Sequence, residues 1–378
     1  MVWLAVTASV AALALSGCAS AKPSAAPTDR AASASTPTAK PAPNPGPVPA
    51  ARTVPGCEEL ATPSALGRLL GADVTALDAH RRDLADTTPS YEIEAAGGLS
   101  CLCGESGALD PRDYDAARFE VQVLPHADAA WKALPASSMG RGTTPGADYD
   151  GHPSRGGNCD IGNGQSLCWT NVFVNGEWLA ATANSTTPGA LTEAAFHATV
   201  LAMVPTLEHY ATASNDTATP APAPSAGDSL CLSDETAAAM QSSFGVRTAS
   251  YAGIETAMRI QDALLFVPGR EYCPFQSPAD GGDFLAAYTV TPHAATQFAA
   301  FAALLKAQPI DVATVPLTGA QGATSGLGWS STRSSDVPSY RLDFLDGDDW
   351  VQVYAPYSAA APAQTAAFAQ WYLGHGTL

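Results

Sequence analysis

Charge is scarce in this sequence. Of its 378 residues only 14% are Asp, Glu, Lys or Arg, 18 of them basic, and the formal net charge is −18. Nucleic acid and an anionic lipid surface both repel such a chain, and no run of basic residues offers either a groove. The solubility of a secreted protein is reason enough for the acidity. Apolar runs are equally short of what a membrane body needs: beyond Val2 to Leu15, none approaches the ~20 residues of a spanning helix. The short motifs that announce chemistry are missing too. There is no G-x-S-x-G elbow, H-E-x-x-H pair, phosphate-binding Walker loop or kinase signature. The seven histidines, at 80, 126, 152, 197, 209, 293 and 375, are scattered without a paired base or nucleophile. No catalytic residue, no metal and no cofactor is therefore expected.

What the chain does have begins with its one apolar run, which closes on Leu15-Ser16-Gly17-Cys18 and has the length of a signal-peptide core. Met1-Val2-Trp3 carries no Lys or Arg, against the positive start of a signal peptide, so a start codon upstream of Met1 is expected. A short apolar core, small residues and then Cys resembles the lipobox of bacterial lipoproteins. The resemblance implies cleavage before Cys18 and a diacylglyceryl group, carrying chains such as palmitate, on its thiol. The implied address is the extracytoplasmic face of the cell membrane, held stably once two or more acyl chains contribute ~0.8 kcal/mol per buried CH2. Residues 1–17 thus read as signal peptide. Residues 18–55, rich in Ala, Pro, Ser and Thr, read as a disordered stalk, since they bury too little apolar surface to offset ordering entropy. At ~3.1 Å per residue its reach is on the order of 100 Å.

A second Ala/Pro-rich stretch, 211–228, reads as a linker between a first module at 56–210 and a second at 229–378. The two modules repeat each other. Cys57 and Cys231 each stand fourteen residues before a glycine, Gly71 and Gly245, and each interval reads as a helix with a Gly C-cap. Thr62 or Ser64 is expected to cap the first helix, Ser233 or Asp234 the second. A Cys and a strand follow in both, Arg118 to Val123 in one and Phe284 to Val290 in the other. Each strand runs into a Pro-His pair, Pro125-His126 or Pro292-His293, and then an Ala-rich helix with Trp131 or Phe298 and Phe301. A Gly-rich irregular loop is expected next, Gly140 to Gly164 or Gly319 to Gly328. Hairpins turning at Asn175-Gly176 and Asp346-Gly347 come after, returning through Trp178 and Trp350. Both copies end in a helix containing Ala-Ala-Phe. The fold class is α+β: two tandem related modules, each an antiparallel sheet with packed helices. His126 and His293, recurring where strand meets helix, read as fold residues.

Seven cysteines remain once Cys18 is set aside: Cys57, Cys101, Cys103, Cys159, Cys168, Cys231 and Cys273. Outside the cytoplasm they read as disulfides. The second module holds only Cys231 and Cys273, which should pair. By internal analogy Cys57 pairs with Cys101 or Cys103, closing a loop worth ~3–4 kcal/mol in the chain-entropy model. Cys159 and Cys168 close the segment between them, and one of Cys101 and Cys103 stays unpaired. Cys101-Leu102-Cys103 lacks the C-x-x-C spacing of metal and redox sites.

The longest difference between copies is the Gly-rich loop of the first, which carries Arg141, Tyr149, His152 and Arg155. Long loops on a rigid scaffold are where binding concentrates, so Tyr149, His152 and Arg155 are the candidate ligand residues. Asp343 and Asp346-Gly347-Asp348-Asp349 have no EF-hand spacing and read as a hairpin and its solvated tip. Trp178 and Trp350 read as cover for a sheet face.

The opening C-E-E-L-A-T-P-S-A-L, the later G-G-L-S-C-L-C, the D-G-H-P-S loop and C-W-T-N-V-F-V-N-G-E-W resemble actinobacterial envelope lipoproteins built on a domain of unknown function. The layout is also similar to extracellular sensor domains of actinobacterial receptor kinases. The resemblance covers residues 57–209, and in outline 231–373. It implies a disulfide-bearing α+β module on the cell envelope and no particular reaction. The function expected is that of a membrane-anchored extracytoplasmic lipoprotein with two modules that bind a small ligand or an envelope protein. The alternative is an envelope hydrolase using the Gly140–Gly164 loop with His126.

Overall fold

Both modules open with the same device. Thr62 accepts a hydrogen bond from the Ala65 N–H and starts a helix that Gly71 ends at φ 67; Ser233 accepts from Thr236 N–H and Gly245 ends the second helix at φ 67. In the first copy the expected single helix is broken in two, because Ala61 and Thr62 are extended. The computed structural model describes residues 55–82, 89–105, 116–133, 145–162, 165–215, 230–251, 260–278, 282–319, 322–331 and 338–375. Cys18, the stalk, Arg141 and residues 216–229 lie outside them.

The first module comprises α1 (Cys57–Leu60), α2 (Pro63–Leu70), β1 (Val74–Leu77), a 3-10 turn at Ala79–Arg82, α3 (Pro89–Ala95), β2 (Leu99–Glu105), β3 (Arg118–Leu124), α4 (Asp128–Ala133), β4 (Ser154–Gly162), β5 (Gln165–Val174), β6 (Glu177–Ser185), α5 (Glu193–Leu201) and α6 (Val204–Asn215). The second comprises a 3-10 turn at Leu230–Leu232, α7 (Asp234–Phe244), β7 (Ser250–Tyr251), α8 (Ile260–Ala263) with a 3-10 turn at Leu264–Phe266, β8 (Glu271–Ser277), β9 (Asp283–Thr291), α9 (Ala295–Lys306), β10 (Val312–Gly319), β11 (Gly322–Ser331), β12 (Ser339–Asp346), β13 (Asp349–Pro356) and α10 (Ala361–His375).

The sheets have one topology. The order β1-β2-β3-β6-β5-β4 recurs as β7-β8-β9-β13-β12-β11, with β10 added at the far edge, and every pairing is antiparallel. Irregular backbone repeats with it. Gly97 and Gly269 take φ 78 and 79 before β2 and β8, and His126 and His293 take φ 54 and 53 after β3 and β9. Two non-glycine residues in the left-handed region at one corner of each copy identify a shared backbone path.

Four expectations need correction. Within the expected irregular loop Gly140–Gly164, residues 154–162 are strand β4, held in the sheet by antiparallel pairing with β5. The Gly319–Gly328 stretch is no irregular loop: its residues outside 320–321 belong to the β10–β11 hairpin, where each residue of Val312–Gly319 stands opposite one of β11. The second hairpin turns at Gly347-Asp348, because Asp346 pairs directly with Asp349; Gly347 at φ 61 supplies the first position of a type II′ turn. Residues 211–215 are not linker but the last turn of α6, where Ala211 is fully buried and prolongs the packed face.

One face of each sheet carries its own core. Phe119, Val121, Val172 and Leu179 pack under α2, α5 and α6 in the first module; Phe275, Tyr288, Leu342 and Val351 pack under α7 and α10 in the second. The opposite faces are joined. Helix α3 packs on its own sheet and on α9, while α8 packs on β3, β6 and α4 of the first module. The resulting clusters mix residues from both copies. Ile93, Leu124, Trp131 and Trp178 meet Ile260, Ala263 and Leu264; Tyr91 meets Phe301, Trp329 and Trp350. Each module thus inserts the helix preceding its second strand against the hairpin tryptophan of the other, a reciprocal contact of the kind a two-fold dimer makes. The described residues fall within one compact unit.

Candidate functional site

The loop singled out in the sequence is clamped to the first module. Tyr149 is buried among the core residues, stacks on His197 at 4.4 Å and hydrogen-bonds Thr170. Burial pushes its phenol up, the Thr170 bond opposes this, and Glu193 adds to the rise. His197 Nε2 donates to the Asp148 carbonyl at 2.9 Å, and His152 Nε2 stands 2.9 Å from Glu208 Oε1 on α6. Asp148 Oδ1 accepts from Gly151 N–H, and Ser154 Oγ donates to the Ala147 carbonyl. Arg155 turns to the opposite face of the sheet: its guanidinium lies 4.5 Å from the Trp131 ring and donates to the Trp131 carbonyl. Burial lowers the Arg155 pKa. Tyr149 and His152 therefore belong to one clamp and Arg155 to another surface. His126 sits in the turn before α4, on a different segment from the clamp.

The cysteines pair as Cys57–Cys101, Cys159–Cys168 and Cys231–Cys273, and Cys103 is the buried free thiol. Desolvation raises the Cys103 pKa, and the charge of Glu58 raises it further. Cys103 occupies the position that Phe275 fills in the second module, counted from Cys101 and Cys273. A small void beside it is lined by Cys57, Leu66, Cys101 and Phe119. Among the described residues, one set of three metal-type ligand atoms gathers, from Cys231, Glu271 and Cys273, but the two sulfurs are bonded to each other and offer no thiolate.

Asp343, read in the sequence as part of an exposed hairpin, is instead fully buried on the joined face of the second sheet. It accepts from Trp329 Nε1 (2.7 Å), Gln352 Nε2 (2.6 Å) and Trp350 Nε1 (3.1 Å). Trp178 makes the matching bond to Asn171 Oδ1 at 2.9 Å. Asp349 Oδ1 accepts from His293 N–H and holds that turn. Both hairpin tryptophans are covered, as expected of them.

Between the modules lies a second polar feature that the sequence did not reveal. Arg270 Nη2 and Glu92 Oε2 form an ion pair at 2.6 Å, with side chains only 7% and 4% exposed. Next to Glu92 in sequence, Tyr91 stacks on His80 at 4.0 Å and meets Phe301 and Trp350 edge-on. His80 lies 2.9 Å from both Asp78 Oδ1 and Glu94 Oε1. A charged pair 178 residues apart leaves no local spacing to find it by. The usable signal was weaker: Glu92 stands between Tyr91 and Ile93, both buried.

No family model, curated protein or solved structure matches the chain. Among the described residues, no helix is long and apolar enough to cross a membrane. What the geometry offers is a stiff scaffold: histidines held by carboxylates or carbonyl oxygens, loops pinned to helices, and two modules locked through buried aromatic and polar contacts.

Proposed function

We propose that this chain is an extracytoplasmic lipoprotein, tethered through Cys18 to the outer face of the cytoplasmic membrane, which carries a rigid pair of related binding modules. The observation behind the reading is Leu15-Ser16-Gly17-Cys18 followed at once by an Ala/Pro-rich stalk. Three disulfide pairs in so small a body suit an oxidising compartment. Stacked modules present loops from two related sheets on one platform, an arrangement suited to engaging an envelope protein or a small ligand. The hydrolase alternative gains nothing from the geometry, because Tyr149 and His152 are tied to α5 and α6 while Arg155 leaves for the other face.

The test is metabolic labelling of the full-length chain with an alkyne fatty acid in a bacterial host, with detergent phase partition. Wild type is expected to take label and enter the detergent phase; Cys18→Ser should do neither. A wild-type chain released unlabelled into the medium would overturn the anchor. Partner capture from envelope extracts with the tethered protein tests the binding role.

A further inference from the structure

The joint between the modules contains a small cleft lined by Glu92, Ala95, Leu264, Arg270, Thr291 and Pro292. Its open space, ≈ 10 Å³ for the centre of a water-sized sphere, is close to the least that holds one water molecule. Two of its polar groups are left over. Arg270 Nε–H and Thr291 Oγ1 have no hydrogen-bond partner among the described residues, although the Arg270 side chain is 7% and Thr291 3% exposed. A buried donor without an acceptor costs about 1–3 kcal/mol, so two of them beside one cavity ask for an occupant.

The repeat supplies an internal control. Counting back from Cys101 and Cys273, Arg270 corresponds to Gly98; counting from the Pro-His pairs, Thr291 corresponds to Leu124. In the first module that corner is closed and apolar: Leu124 is buried, and a Cβ at Gly98 would lie 2.3 Å from the Val123 carbonyl and 2.6 Å from Ile93. The fold therefore closes without polar groups there in one module, while the other has both the groups and the space.

We infer that this cleft is a binding site for a single neutral hydrogen-bond acceptor, a water molecule. It accepts from Arg270 Nε–H, hydrogen-bonds Thr291 Oγ1 and completes the polar lock between the modules. Neutrality follows from the ion pair: Glu92 already balances the Arg270 charge, so an anion would bring an uncompensated negative charge beside a buried carboxylate.

Crystals of the whole chain diffracting to ~1.5 Å would decide the matter. Expected is one spherical density peak in the cleft at hydrogen-bond distance from both Arg270 Nε and Thr291 Oγ1. It should be absent in Thr291→Val crystals and silent in the anomalous map after bromide soaking. An empty cleft would overturn the inference, and so would a bromide peak, which would make the site one for halide. A peak unchanged in Thr291→Val would remove Thr291 from the site and overturn it as drawn.

Discussion

Trp178 and Trp350 hold the same place in the two modules, and each donates its indole N–H to the residue seven positions before it, Asn171 in one and Asp343 in the other. The position is one, and the charge differs. Around Asp343 the second module has gathered two further donors, Trp329 Nε1 and Gln352 Nε2, with Arg341 nearby as a favourable charge.

That difference predicts a pH signature. Burial raises the Asp343 pKa above its ordinary value of 3.8, against the opposing pull of Trp329, Gln352, Arg341 and Trp350. A carboxyl with a raised folded pKa binds more protons when folded, so its contribution to stability falls as pH climbs above 3.8 and levels off past the folded value. Asp343→Asn, which copies the first module, should therefore gain on wild type between pH 4 and pH 7 in urea melts. Asp343→Leu strands three buried N–H donors and should cost about 3–5 kcal/mol.

Arg270→Ala separates the buried Glu92 carboxylate from its guanidinium and should cost about 3–5 kcal/mol. Removing both charges in Glu92→Gln with Arg270→Met should recover much of this. Denaturant melts of the singles and the double give the coupling; a double as unstable as the sum of the singles would mean the pair does not act as a unit.

Cys103 is buried, and its thiol is shifted toward the unreactive protonated form, first by desolvation and then by Glu58. Iodoacetamide at pH 7.5 should leave Cys103 of the chain lipidated at Cys18 unmodified over an hour and label Cys103 alone in urea without reductant. Native labelling at Cys101 would assign the free thiol wrongly. Labelling at a second site in urea would break one of the three pairs.

His126 and His293 take φ 54 and 53, where a β-branched side chain is strained and Asn is tolerated. His126→Val should lower stability by about 1–2 kcal/mol, and His126→Asn should change it little. The same contrast is expected at His293, where the backbone N–H also donates to Asp349 Oδ1. Thermal melts of the four variants check it.

Much of the fold was legible because repetition and local rules agree. Thr62 and Ser233 cap helices, Asn175-Gly176 turns a hairpin, and glycines end α2 and α7, all through contacts within a few residues. The Cys231–Cys273 pair was legible because the second module allows only one answer, whereas the choice of Cys101 over Cys103 as partner of Cys57 came from the structure. Errors arose where a neighbouring strand decides the outcome. The β10–β11 ladder supplies hydrogen bonds that make strands of a segment rich in Gly, Ala and Ser, and cross-strand register moves the second turn to Gly347-Asp348. Tyr149, His152 and Arg155 were read as ligand residues of one loop, but Arg155 belongs to strand β4. Their side chains point to three different elements, which spacing does not encode.

By itself the sequence determined that this protein is an acidic, duplicated α+β chain, since caps, turns and alternation act over a few residues and a duplication shows twice. Only the tertiary structure decided that the two copies lock face to face. Tyr91 against Trp350, Ile93 against Leu264 and Glu92 against Arg270 are contacts across more than 150 residues. Hydrophobic burial and buried ion pairing depend on what space brings together, and no local pattern carries that information.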